Sequence, residues 1–299
     1  MTQTDDMVLP FQVKTLGARG RLVRLGPVIH DILSRHDYPA PVSALLAEAV
    51  ALAALLGSAL KFEGRFILQT KTDGPVDLIV ADFASPHGVR GYARYDLARI
   101  AAMARPTQAA LLGQGHLAMT VDQGGDMDRY QGIVPLEGIS LAQAADIYFA
   151  QSEQIPTRLK LASGPLTTRD GTHWRAGAVM VQHLPGEGGH GDASRDDDWA
   201  TAHMLLDTVE DHELLDPQLG AEALLYRLYH EPGVTAYPAI ALARHCTCSR
   251  AAVERMIRNF PADDRAAMVH DGAITVTCEF CSSVYGFKPS EFAASPAED

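Results

Sequence analysis

All four cysteines of this 299-residue chain fall within its last 54 residues, as Cys246-Thr247-Cys248 and Cys278-Glu279-Phe280-Cys281. The pattern is C-x-C, an interval of 29 residues, and C-x-x-C. Four thiolates are the donor number that closes a tetrahedral zinc site, and two close pairs on separate loops are how small zinc domains supply them. Two thiols this close in sequence can also be oxidised to a disulfide, so the same four atoms suit either one metal ion or two short-range bonds. Arg244 and Arg250 flank the first pair and would offset thiolate charge, and His245 is the one histidine placed to neighbour the site.

The remaining chemistry of the sequence is sparse. There is no G-x-S-x-G elbow, no H-E-x-x-H helix and no P-loop. Residues 186–191 spell G-x-G-x-x-G, but Asp196, Asp197 and Asp198 would stand where a pyrophosphate must bind, and no βαβ unit surrounds them. A linker is the better reading. His30, His36 and His87 read as surface or satisfied core residues. No nucleophile–base spacing points to an enzyme.

Composition sets further limits. A formal charge of −12 and a pI near 5.4 argue against non-specific nucleic-acid binding, which rests on cations neutralising phosphates. Residues 1–11 carry Asp5 and Asp6 and no long apolar run, so no signal peptide is expected. Thiols in such a chain point to a reducing cytoplasm, where they serve as ligands or redox centres. Val42–Leu60 is apolar enough to resemble a membrane span, yet it is rich in Ala, carries Glu48 and ends at Lys61. A core helix is expected there, with no membrane contact.

The elements that position the cysteines follow from pattern. Strands are expected at 8–15, 21–25, 65–70, 76–82, 89–95, 116–122, 129–134, 157–162 and 176–183. Helices are expected at 27–36, 41–60 and, behind a Ser140/Gln143 capping box, 141–152. Strands predominate with helices inserted singly, so the class is α+β, with one sheet completed by the last two strands. The expected domains are 1–184, an acidic stretch and helical linker at 185–243 with helices at 199–209 and 221–229, and a small zinc domain at 244–299. The last has few large core residues and needs a staple.

Arg244-His-Cys-Thr-Cys-Ser-Arg250, followed by Cys278-Glu-Phe-Cys281, Tyr285 and Phe287, resembles the redox-switch domain of the 33 kDa chaperonin (heat shock protein 33) family. Leu224–Glu231 with Val234-Thr235, Tyr38–Val42, Leu60–Gly64 and Asp73-Gly74-Pro75 extend the resemblance over nearly the whole chain. It implies an ATP-independent holdase rather than an enzyme, inactive when reduced with zinc on Cys246, Cys248, Cys278 and Cys281. Oxidation to two disulfides would activate it. The family also implies unfolded client proteins as partners and a homodimer in the active form. Nearest-thiol pairing would give Cys246–Cys248 and Cys278–Cys281. The linker's apolar residues, with Trp199, Leu205, Leu206, Leu225 and Leu228 as the client-contact set, fall near helical spacing and require a partner surface, expected to be the N-terminal sheet. Its acidic residues from 187 to 216 face only Arg195 as countercharge, so self-repulsion is expected to weaken it. A zinc-ribbon adaptor with a purely structural zinc, or a thiol–disulfide oxidoreductase using Cys278 and Cys281, are the readings from other classes. The second would need a thioredoxin-like βαβ frame.

Overall fold

A computed structural model describes residues 5–60, 63–124, 129–184 and 193–292, which form two units, Met1–His245 and Cys246–Asp299. The glycine run at 186–191, and with it the expected domain boundary near 185, lies outside the described residues, as do Lys61 and Phe62.

In the first unit the elements run β1 (Met7–Val13), β2 (Ala18–Leu25), α1 (Pro27–Leu33), α2 (Ala40–Gly57), β3 (Arg65–Thr72), β4 (Leu78–Ala84) and β5 (Gly88–Arg94). There follow α3 (Leu97–Ala101), α4 (Gln108–Leu112), β6 (Gln114–Asp122), β7 (Tyr130–Glu137), α5 (Leu141–Tyr148), β8 (Thr157–Thr168) and β9 (Gly171–His183). Three helices come next, α6 (Ala193–Asp207), α7 (Asp211–Leu215) and α8 (Ala221–Tyr229). Three two-residue strands close the unit: β10 (Thr235–Ala236), β11 (Ile240–Ala241) and β12 (Ala243–Arg244).

The expected single sheet is in fact two. One has the order β10-β1-β2-β9-β8, with β11 also on β1, and the other β12-β5-β4-β3-β6-β7. Helix α2 packs against strands of both, and one core takes residues from both sheets and the helix. That position explains its composition, since a helix apolar on every side must be covered on every side. It is long and apolar enough to cross a membrane, but 78% of it is buried within the fold. Glu48 is accommodated by hydrogen bonds from Gln108 of α4 and Ser163 of β8, and burial holds its carboxyl above the usual range.

Local signals account for most boundaries. Pro27 opens α1, and the Asp6 carboxylate accepts from the Gly26 and Val28 N–H groups at 2.9 and 3.1 Å. The helix stops at Leu33 rather than His36, ahead of Tyr38-Pro39, where the residue before proline is pushed toward extended backbone. The Ser140/Gln143 capping box is present, but α5 ends at Tyr148 and continues as a π-helical turn, Phe149–Glu153. Residues 234–244 carry no strand pattern and form β10, β11 and β12 only because the edges of β1 and β5 offer unpaired backbone groups.

The second unit contains α9 (Arg250–Arg258), α10 (Ala262–Ala267) and the antiparallel β13 (Val269–His270), β14 (Ala273–Thr277) and β15 (Val284–Phe287). Its buried core is Val253, Ile257, Ile274, Phe287 and Phe292. Such a core is marginal for independent folding.

Candidate metal centre and the covered sheet face

The two cysteine pairs are brought together by different local devices. Cys246 and Cys248 lie just ahead of α9, whose N-terminus is capped by Ser249 Oγ accepting from Ala252 N–H at 3.1 Å. Cys278 and Cys281 occupy the turn between β14 and β15. There Cys278 N–H donates to Ser283 O at 2.9 Å, Ser282 N–H donates to Cys278 O at 2.8 Å, and Ser282 takes a left-handed φ of 55°.

The four sulfurs lie within 4.8 Å of one another. Cys246 Sγ is 3.7 Å from Cys278 Sγ, and Cys248 Sγ is 3.3 Å from Cys281 Sγ. Zn–S bonds of about 2.3 Å arranged tetrahedrally set the sulfurs about 3.8 Å apart. The cluster is therefore of the right size, and four soft thiolates are the right donors. The electrostatics point the same way. Burial raises the Cys281 thiol, but hydrogen bonds with Ser283, whose Oγ is 3.2 Å away, and with Cys248 and Cys278 bring it down to about 6. Burial and the neighbouring sulfurs push Cys248 up to about 12, against the Tyr285 hydroxyl, 3.1 Å away, which pulls it down. Burial also raises Cys278, opposed by hydrogen bonds from the backbone N–H groups of Cys281 and Phe280. Sulfurs this close share charge badly: Cys281 ionises easily while Cys248 and Cys278 resist. A divalent cation removes that conflict.

Arg250 donates to Gly286 O and Glu291 and lies over the Phe287 ring, while Arg244 pairs with Asp31. His245 is not part of the sulfur cluster. Tyr285 and Ser283 are the site neighbours that cysteine spacing alone did not reveal.

The apolar residues of 199–229 find the partner surface they require. One face of the first sheet carries Leu9, Phe11 and Val13 of β1, Leu22 of β2, and Val179 and Val181 of β9, in one cluster with residues of α6, α7 and α8. Leu206, Leu225 and Leu228 are buried in it, and Trp199 and Leu205 are half-buried against it. Tyr229 is fully buried, its hydroxyl donating to Ala202 O at 3.1 Å and its ring 5.7 Å from that of Phe11. At Gly177 the approach is so close that a Cβ would stand 2.8 Å from Leu214 O.

The expected self-repulsion of this segment is corrected by the sheet beneath it. Arg158 Nε lies 2.7 Å from Asp207, and Lys160 lies 3.4 Å from Asp211 while donating to Val209 O. Arg175 donates to Leu215 O, and Arg24 to Asp216 O and Leu219 O. Arg227 adds a contact to Glu213 at 2.7 Å. Countercharge comes from strands distant in sequence, which a reading of the linker alone could not supply. The available signal was Arg158-x-Lys160, two cations on one face of a strand.

A family model described as Hsp33 protein matches residues 6–288. The chain belongs to the Hsp33 protein family. It is 47% identical over 290 residues to the 33 kDa chaperonin of Caulobacter vibrioides, covering 95% of each chain. It is 39% identical over 291 residues to that of Pseudomonas paraeruginosa, covering 97% of this chain and 94% of the relative. Its fold is that of the crystal structure of the Thermotoga maritima 33 kDa chaperonin, at a TM-score of 0.77 and 23% identity over 96% of each chain.

Proposed function

We propose that this protein is a redox-regulated, ATP-independent holdase without enzymatic turnover, held inactive while its four cysteines are reduced and binding unfolded proteins after they are oxidised. The observation that carries the reading is the four-sulfur cluster in a unit whose apolar core is too small to be secure alone. Cys246, Cys248, Cys278 and Cys281 would hold one zinc ion, which keeps the sulfurs deprotonated and staples the unit. Family membership and the chaperonin names of the relatives supply the client class, unfolded polypeptides.

The chain's own residues do the switching. Each disulfide forms as two thiolates give up two electrons to an oxidant such as a peroxide, whose O–O bond breaks and whose oxygens leave as water with protons taken from solvent. Sulfurs paired in this way no longer donate to a metal, so zinc release accompanies activation. In the reduced cluster each sulfur has three neighbours, so proximity alone does not select partners. As the unit opens, loop closure favours the shortest loops, hence Cys246–Cys248 and Cys278–Cys281. Loss of the staple loosens residues 244–299, then the linker at 185–243, and the apolar face of the 1–184 domain comes free with Trp199, Leu205, Leu206, Leu225 and Leu228. Patches of this kind capture unfolded chains, and two copies so exposed would associate as a homodimer. The cytoplasm, where thiols rest reduced, is the compartment that suits such a switch.

The test is zinc content, free-thiol count and suppression of client aggregation, measured together before and after peroxide. The expected result is one zinc and four thiols with little suppression, then neither zinc nor thiols with strong suppression. Less than half an equivalent of zinc in reduced protein prepared with sufficient zinc, or equal suppression in both states, would refute the proposal. The second outcome would favour a purely structural zinc. Peptide mapping that finds mainly Cys246–Cys281 or Cys248–Cys278 would refute the local pairing alone.

A further inference from the structure

The sheet face beneath α6, α7 and α8 is cationic as well as apolar. Strand alternation puts Arg158 and Lys160 of β8, Arg24 of β2 and Arg175 of β9 on the same side as Leu22, Val179 and Val181. Each of the four contacts the covering segment, at successive points from Asp207 to Leu219. Two of them are buried there, Arg24 at 1% and Arg175 at 6% exposure. Asp5 answers Arg175 and also faces Arg24 electrostatically, and Asp146 approaches Arg158 at 3.4 Å, but the hydrogen-bond acceptors of Lys160 and Arg24 among the described residues belong to the covering segment. That segment, 193–229, has the complementary character: nine carboxylates against Arg195 and Arg227, interleaved with the leucines that fill the cluster.

We infer that the face, once uncovered, selects client segments that are both acidic and apolar, the chemistry of the segment it sheds. This rests on the chaperone reading and narrows its substrate class. An apolar surface alone would accept any exposed hydrophobic stretch. Here, departure of the linker leaves Lys160 and Arg24 without their hydrogen-bond acceptors, on the same face as Leu22 and Val179. A client carboxylate or a turn of backbone carbonyls restores those contacts, whereas a client lysine meets like charge on a partly desolvated surface. The apolar side chains between the cations separate this ligand from a simple polyanion, whose binding rests on charge alone.

The experiment uses full-length oxidised protein and three fluorescein-labelled peptides sharing one leucine pattern, with Glu, Gln or Lys at the intervening positions. Aggregation suppression on the same sample reads the parent proposal independently. In low salt the Glu peptide is expected to bind about tenfold more tightly than the Gln peptide and more tightly still than the Lys peptide, with the difference shrinking severalfold at about 0.5 M salt. The double variant Arg158→Glu/Lys160→Glu, at partly exposed positions that face Asp207 and Asp211 of the segment shed on oxidation, is expected to reverse the order. Equal affinities, or a preference that survives the double variant, would overturn the inference while leaving the holdase intact if aggregation is still suppressed. Absence of suppression would remove the parent reading and the inference with it. A single-stranded oligonucleotide that displaces the Glu peptide at equal charge concentration would show a general polyanion site and also overturn it.

Discussion

Leu206→Ala tests whether the linker is held to the sheet by apolar packing. The side chain is fully buried between α6 and the sheet. Truncating a buried leucine costs about 2–5 kcal/mol, depending on how far the site collapses. Helix α6 lies at the surface and can settle inward, so the lower half of that range, about 2–3 kcal/mol, is appropriate. At 1.4 kcal/mol per factor of ten, this raises the open population of the linker about 30- to 150-fold. The cost falls on docking rather than on the core around α2, because Leu206 belongs to a separate cluster. Hydrogen exchange of the reduced protein should therefore show protection lost across α6, α7 and α8 and retained in α2, β3 and β6. Some aggregation suppression should appear without oxidant. Met204→Ala, at an exposed position on the same helix, is the control and should change neither. Wild-type protection of residues 193–229 in Leu206→Ala, or a loss shared equally with α2 and the second sheet, would refute the reasoning.

Further outcomes follow from other contacts. Gly177→Ala should lift α7 by sterics alone, because the new Cβ would sit 2.8 Å from Leu214 O, and reduced protein should then exchange amides faster at 211–215 than at β2 or β9. Stripping zinc from reduced protein with a chelator should abolish protection in residues 246–292 while the sheets of 5–245 persist, since metal binding supplies about 10–16 kcal/mol to small zinc units. Asp146 is raised to about 6, by burial first, so the folded state holds its proton more tightly than the unfolded chain. Its contribution to stability is full below the ordinary carboxylate range and is lost as pH rises from about 4 to about 6. Asp146→Asn should flatten that slope and raise stability at pH 7.5 by about 1–2 kcal/mol, measured by denaturant unfolding.

The residues that could be read without a structure are those whose role is set by near neighbours in sequence. Cys246/Cys248 and Cys278/Cys281 announce a four-thiol site because each pair is brought together by its own turn. The Ser140/Gln143 box and Pro27 fix helix starts within one turn. The apolar run at 42–60 declares that it must be buried, though not against what. The linker's leucines likewise state a need for a partner without specifying its charge.

Tertiary structure decided what depends on strands meeting across long stretches of chain. That β8 and β9 join β1 and β2 rather than extending the sheet of β3 to β7 is set by α2, which needs apolar cover on two sides. The same pairing turns Arg24, Arg158, Lys160 and Arg175 toward one face, where they meet Asp207 to Leu219. A strand's alternation says which residues share a side, but only the assembled sheet says what that side touches. Sequence alone therefore specified a four-thiol cluster of metal-ligand type, a buried helix and an acidic amphipathic linker. The fold supplied the countercharges that keep the linker down, because charge pairing acts through space, as between Arg24 and Asp216, 192 positions apart in the chain.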